Sequence, residues 1–196
     1  MTIPAEPAIV RRLWPVERAA LAAHLLRLDA CDRRLRFCVP VGDRAIQRYV
    51  DEVDWLRSDV LGCFVAGELR GAAELIRHPR TGPAMAEASI SVERAFRGNG
   101  LGSALTSRLL LSARNRLVRR VDMLCLADNA MMRRIARRHA SVILSENGQV
   151  SGRIVPSPPT PGSLFAEAAA ESAGVARSML DIAVPPDRPA GLLRRA

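Results

Sequence analysis

Hydrophobic positions along the 196-residue chain switch repeatedly between a period of two and a period near 3.6. Residues 87–92 alternate strictly, with Ala88, Ile90 and Val92 on one side and Glu87, Ser89 and Ser91 on the other. That pattern predicts a strand. Apolar runs at 9–13, 61–66, 69–77 and 121–126 predict further strands, and Gly67 with Glu68 predicts a hairpin turn between the second and third of these. Residues 141–144 and 149–155 predict a second hairpin, around Asn147 and Gly148, a pair that suits a type I′ turn. Helical spacing groups Leu21, Leu25 and Leu28 in a helix opened by Pro15, and Ile46, Tyr49, Val50 and Val53 in one from residue 44 to about 56. Leu101, Leu105, Leu109, Ala113 and Leu117 mark a third, running to about Val118, and Asn129 begins a short basic helix to Arg138. Residues 29–36 read as a charged connection, and 78–83, with two prolines and a glycine, as a loop. Strands alternating with helices predict an α/β domain over residues 1–155.

Residues 156–162 hold four prolines and read as a linker. Ser163 is expected to cap a last helix, to about Leu180, with Phe165, Ala169, Ser172, Ala176 and Met179 on one face. Such a stripe packs back on the domain or on a second copy, as a homodimer. Residues 156–196 are thus expected to form a linker, a helix and a loose tail. The longest uncharged apolar stretch, 60–67, is too short to cross a bilayer. No apolar leader precedes Arg11 and Arg12, so a cytoplasmic location is expected.

Charge sharpens this picture. All 29 basic residues are arginine, which excludes a phosphate loop ending in lysine and a Schiff-base lysine. Residues 94–138 hold eleven arginines against Asp122 and Asp128, and the rest of the chain is balanced. The whole excess of +9 therefore lies in one segment, which predicts an anionic partner there. Cys31, Cys38, Cys63 and Cys125, and His24, His78 and His139, are too scattered for a metal site, so reduced thiols and no metal are expected. With about 4% aromatic residues, stacking platforms for nucleic acid are scarce. Trp14 and Trp55 are expected in the core or at its edge.

The candidate chemistry follows the alternating strand. Arg97, Gly98, Asn99, Gly100, Leu101, Gly102 and Ser103 form a glycine-rich turn that opens a helix. Glycines let the backbone approach a ligand closely, and the free N–H groups of a helix N-terminus attract phosphate. A Rossmann fingerprint fails, because the sixth position from Gly98 is Ser103. A tight turn without a ligand is the alternative.

The pattern Arg-x-x-Gly-x-Gly at Arg97, Gly100 and Gly102 resembles the pyrophosphate motif of the GNAT superfamily of N-acetyltransferases. Three further features match: Ala86-Glu87 about ten residues before the motif, as in many bacterial members; Asp128-Asn129-Ala130-Met131-Met132 after a buried strand, like the second acetyl-CoA motif, Asn-x-x-Met; and Asp32 to Phe37 with the following helix, which resemble the N-terminal region of bacterial members. The resemblance covers about residues 9–155. It implies a mixed, splayed sheet of six to seven strands with helices on both faces, followed here by a C-terminal helical extension. It also implies acetyl-CoA as cosubstrate between the fourth and fifth strands. Backbone at Ile90, Ser91 and Val92 would pair with the pantetheine arm, amides of Gly98 to Ser103 would hold the pyrophosphate, and Asn129 would touch the arm.

The reaction so implied is direct attack of a primary amine on the thioester, with Glu87 as base and a strand N–H near Val92 as oxyanion donor. A solvent-facing or salt-bridged Glu87 is the other reading. The tyrosine that many members use as general acid is replaced by Ala136, and the single tyrosine, Tyr49, is expected in the core. Arg133, Arg134, Arg137 and Arg138 read as a solvated face, or as contacts to the coenzyme 3′-phosphate. Two other functions stay open: a non-catalytic acyl-CoA-binding regulatory module on the same fold, and a basic nucleic-acid-associated protein. The acceptor amine is not specified by the sequence, although Glu74 and Glu87 offer local acids.

Overall fold

The computed structural model describes residues 8–78, 84–140, 142–146 and 148–183. The predicted tail at 185–196, most of the 78–83 loop and Asn147 lie outside these. The chain forms β1 (Ile9–Arg12), a 3₁₀ turn at Pro15–Glu17, α1 (Arg18–Arg27), α2 (Ala30–Phe37), α3 (Asp43–Asp51), β2 (Ser58–Val65), β3 (Glu68–Arg77) and β4 (Met85–Val92). Then come α4 (Leu101–Asn115), β5 (Arg120–Leu126), α5 (Ala130–His139), β6 (Val142–Glu146), β7 (Gln149–Ile154) and α6 (Pro161–Ala183). The seven strands make one mixed sheet in the order β1-β2-β3-β4-β5-β7-β6. Every pairing is antiparallel except β4 with β5.

The alternation of β4 divides the core into two layers. Ala88, Ile90 and Val92 pack with Leu101, Leu105 and Leu109 of α4 and with Met132 and Ile135 of α5. On the opposite face, Leu21 and Leu25 of α1 and Ile46 and Val50 of α3 pack on Val60, Phe64 and Leu69. Helices thus cover both faces, as the resemblance implied.

Several local expectations are corrected. Residues 29–36 are not a connection: they contain α2, started by Asp29, whose carboxylate accepts the N–H of Asp32 at 2.8 Å. The third helix ends at Asp51 because Asp54 takes the N–H groups of Leu56 and Arg57 in a following turn. The β2–β3 turn falls at Ala66 and Gly67, both at positive φ, one residue earlier than expected. Leu117 leaves the α4 stripe: its φ of 57° ends the helix and its side chain is exposed. Trp14 is 52% exposed, while Trp55 packs at the core edge.

The last helix packs back on the domain, but by its polar face. Its cap is Thr160, whose Oγ1 accepts the N–H of Ser163, and the Ser163 hydroxyl reaches Asn115 at 2.6 Å. Glu167 pairs with Arg116 at 2.7 Å and Glu171 with Arg108 at 2.6 Å, while Gly174 lies close against Arg11. Arg116 also grips buried Asp59, which Arg12 and Ser112 hold from other sides. The predicted apolar face points outward instead, with Phe165 76% exposed. Spacing reveals a stripe, but charge complementarity with α4 decides which side docks.

Candidate active site

The site begins where β4 and β5 part. Only Met85 with Arg120, Ala86 with Val121 and Glu87 with Asp122 are paired, after which both strands run on without each other. The Glu93 N–H donates to Arg70 O, so odd-numbered residues of β4 turn their backbone groups toward β3. Ala88, Ile90 and Val92 therefore turn theirs into the open gap. Parallel strands that splay leave backbone donors and acceptors free to pair with an extended ligand.

The glycine turn closes the wide end of this gap. Gly98 and Gly100 have φ of 85° and 80°, and a Cβ added at either would meet nothing within 4 Å. The loop thus curls around open space. Gly100 is the N-cap of α4 and offers no side chain, and the N–H groups of Leu101, Gly102 and Ser103 have no partner among the described residues. Three outward N–H groups at the positive end of a 15-residue helix suit an anion. A cavity of about 360 Å³ lies against them, lined on its far side by Ala130, Met131, Arg134 and Arg138. Arg134 and Arg138 have no acidic partner among the described residues. The basic turn of α5 is thus not wholly a solvated face, since two of its arginines face the cradle.

A second cavity, about 310 Å³, continues from the first and shares Val92, Arg97, Ala130 and Met131 with it. Its walls include Ile90, Ser91, Asn129 and, from α2, Asp32, Leu35 and Arg36. Helix α2, missed in the sequence, therefore roofs the gap. It is pinned from both sides: Arg97 pairs with Asp32 at 2.9 Å, and Arg34 with Asp128 at 2.8 Å. Arg97 also donates to Val92 O at 3.0 Å, so its charge is spent on latching the roof and the loop. Asn129 accepts the N–H of Met132 at 3.1 Å as the α5 cap and leans its amide toward Leu35 O.

The polar face of β4 looks toward α1, α2 and α3. Glu87 is exposed at the fork and lines neither cavity. Ser89 keeps a buried hydroxyl without a partner among the described residues. It lies opposite Glu74 of β3, which receives hydrogen bonds from Tyr49 and Arg36. Burial pushes Tyr49 up to about 12, so its phenol stays protonated. Tyr49 was expected as packing; its ring does stack edge-on to Phe37, but its hydroxyl is tied into this polar cluster. Ser91 bonds His24, which is fully buried and bonds Glu93. Ala136 is buried and packs close against Gly152 of β7, so the usual position of the acid holds no proton donor.

Of the residues expected at the coenzyme, Ile90, Ser91, Val92, Arg97 and Asn129 line the second cavity and Gly98, Gly100, Leu101, Gly102 and Ser103 the first, while Asn99 lines neither. The sequence did not reveal α2, the Tyr49–Glu74–Arg36 cluster or the His24 contacts, whose partners lie 13 to 94 residues apart.

Residues 24–140 match the acetyltransferase (GNAT) family, and the chain belongs to that family. It is an acyltransferase. Among solved structures, the GNAT domain of S. lividans PAT is 22% identical and superposes with a TM-score of 0.64, over 79% of this chain and 99% of that one. An N-acetyltransferase from Staphylococcus aureus Mu50 is 17% identical, with a TM-score of 0.60, over 78% and 100% of the two chains. A cAMP-binding acyltransferase from Mycobacterium smegmatis is 26% identical, with a TM-score of 0.54, over 86% of this chain. This chain spans about half (51%) of the length of that protein. No helix among the described residues is long and apolar enough to cross a membrane.

Proposed function

We propose that the protein moves the acetyl group of acetyl-CoA to a primary amine by direct attack within a ternary complex. The observation that carries this reading is the continuous pair of cavities running from the free N–H groups of α4 into the splayed gap. An anionic head and an extended amide-bearing arm match those two parts in order. In this reading Gly98 to Ser103 hold the pyrophosphate and Arg134 or Arg138 meets the 3′-phosphate. Backbone of Ile90 and Val92 pairs with the arm, with Ser91 beside it, and Asn129 shapes the same wall by setting the start of α5. The bound thioester supplies an activated acyl carbon.

The remaining tasks fall to the chain. A Val92 N–H aimed into the gap is placed to stabilise the oxyanion. Glu87 is the candidate base. It stands about 17 Å of extended strand from Val92 and outside both cavities, so a relay of several waters, not direct contact, carries the ammonium proton to it. Arg36 of the α2 roof borders the acceptor side and is tied there to Glu74 and Tyr49. With Ala136 in place of an acid, the thiolate takes its proton from solvent. The four free cysteines fit a reducing cytoplasmic setting.

Mixing the protein with acetyl-CoA and a panel of primary amines tests this reading. Free-thiol release should rise with amine concentration and match the N-acetylated product. Release that ignores every amine would contradict direct transfer.

A further inference from the structure

Three side chains that the transfer reaction leaves unused form a connected chain at the donor cavity. Ser91 Oγ lies 2.9 Å from His24 Nε2, and His24 Nδ1 lies 3.2 Å from Glu93 Oε1. Glu93 is also held by Arg27 at 2.9 Å and by Arg70 at 3.0 Å. Burial alone would raise its carboxyl, but hydrogen bonds from His24, Arg27 and Arg70 outweigh that and bring it to about 2. The carboxylate is therefore ionised and can only accept. Burial pulls His24 below its ordinary value, so the imidazole is neutral. A neutral ring beside an ionised carboxylate must carry its proton on Nδ1. Nε2 then holds a lone pair, and the Ser91 hydroxyl donates to it. Ser91 itself lines the 310 Å³ cavity, between Ile90 and Val92, whose backbone faces the gap.

A hydroxyl bonded to an oriented imidazole, with a carboxylate behind it, is the arrangement that activates a serine nucleophile. We propose that Ser91 is such a nucleophile, activated by His24 and Glu93, and that it accepts an acyl group inside the donor cavity. The inference rests on the acyl-CoA reading of that cavity, and it adds a route that needs no amine. Ser91 Oγ bonds the thioester carbonyl carbon, and its proton passes to His24 Nε2. The carbon–sulfur bond breaks, and the leaving thiolate takes that proton. Water then attacks the ester and gives one proton to His24; the ester C–O bond breaks, that proton returns to Ser91 Oγ, and acetic acid leaves and ionises to acetate in solvent. The net reaction is slow hydrolysis of acyl-CoA. Ser91 is the catalytic group here, His24 carries the proton, and Glu93 is a positioning residue that fixes the tautomer.

The test is acid-quenched mass spectrometry after incubation with acetyl-CoA and, separately, with p-nitrophenyl acetate, which needs no coenzyme site. One acetyl group per chain should appear on the tryptic peptide spanning residues 81–94, localised to Ser91 by fragmentation. Ser91→Ala should remove it in a protein that still folds cooperatively, with a somewhat lower melting temperature because His24 Nε2 loses its buried partner. His24→Gln should slow labelling by about 100-fold or more. Ser91→Cys should restore labelling as a thioester cleaved by neutral hydroxylamine, which a merely structural serine would not do. Absence of label from both reagents, label elsewhere on the peptide, or equal labelling of Ser91→Ala would each overturn the proposal. Thermal stabilisation by coenzyme A is read in parallel. Stabilisation without acetyl-Ser91 removes the nucleophile and leaves the transferase reading intact. Labelling of Ser91 by p-nitrophenyl acetate without any coenzyme binding supports the nucleophile and removes the donor assignment.

Discussion

Replacing Gly100 by valine is expected to abolish the rise in melting temperature that coenzyme A gives the wild-type protein. Ligand that binds only the native state at a hundred-fold excess over its dissociation constant stabilises by about 2.7 kcal/mol. For a domain of this size that is a shift of roughly 5–10 °C. The space around a Cβ at Gly100 is empty of protein atoms within 4 Å, so a side chain there starts into the loop's open side. Its φ of 80° adds backbone strain of about 1–3 kcal/mol, which lowers the melting temperature of the variant itself. The informative quantity is therefore the ligand-induced shift. An undiminished shift in a folded Gly100→Val protein would place the coenzyme elsewhere.

Glu87→Gln is expected to leave coenzyme binding unchanged and to cost about 10²–10⁴ in turnover near neutral pH, the usual contribution of a positioned base. A lysine-like acceptor has a pKa near 10, so at pH 7 only about one molecule in a thousand is neutral. Glutamine keeps the shape and loses the proton acceptor. The deficit should shrink as pH rises and more amine deprotonates unaided. The exposed position of Glu87 at the fork makes a stability loss small, which separates the two readings cleanly. A pH–rate comparison of the two proteins with a known acceptor decides it. Equal rates from about pH 6 to 9 would remove Glu87 from the mechanism and turn attention to Glu74, which lies opposite Ser89.

Much of this architecture is legible in short-range pattern. The alternation of residues 87–92 already separates the two core layers, and the glycines at 98, 100 and 102 already mark the start of α4. What the pattern hides is held by distant partners. Helix α2 carries few apolar residues and looks like a charged connection until Arg97 and Asp128 anchor Asp32 and Arg34. The outward turn of Phe165 follows from Glu167 and Glu171 finding arginines on α4. His24 reads as one scattered histidine because Ser91 and Glu93 lie 67 and 69 residues away. Leu117 keeps the helical spacing but sits at positive φ, where the chain turns toward β5. Local periodicity records which face is apolar; it does not record which polar groups will find each other.

The central claim is that coenzyme A lies along the splayed edge of β4 with its phosphates at the start of α4. Hydrogen–deuterium exchange with and without saturating coenzyme A tests it most directly. The N–H groups of Leu101, Gly102 and Ser103, and those of Ile90 and Val92 facing the gap, lack partners among the described residues and should exchange quickly in the free protein. Coenzyme A should slow exchange in residues 88–104 and, more weakly, in 128–139, with no change in β6 or α6. Absence of protection in 88–104, or protection confined to other strands, would contradict the assignment.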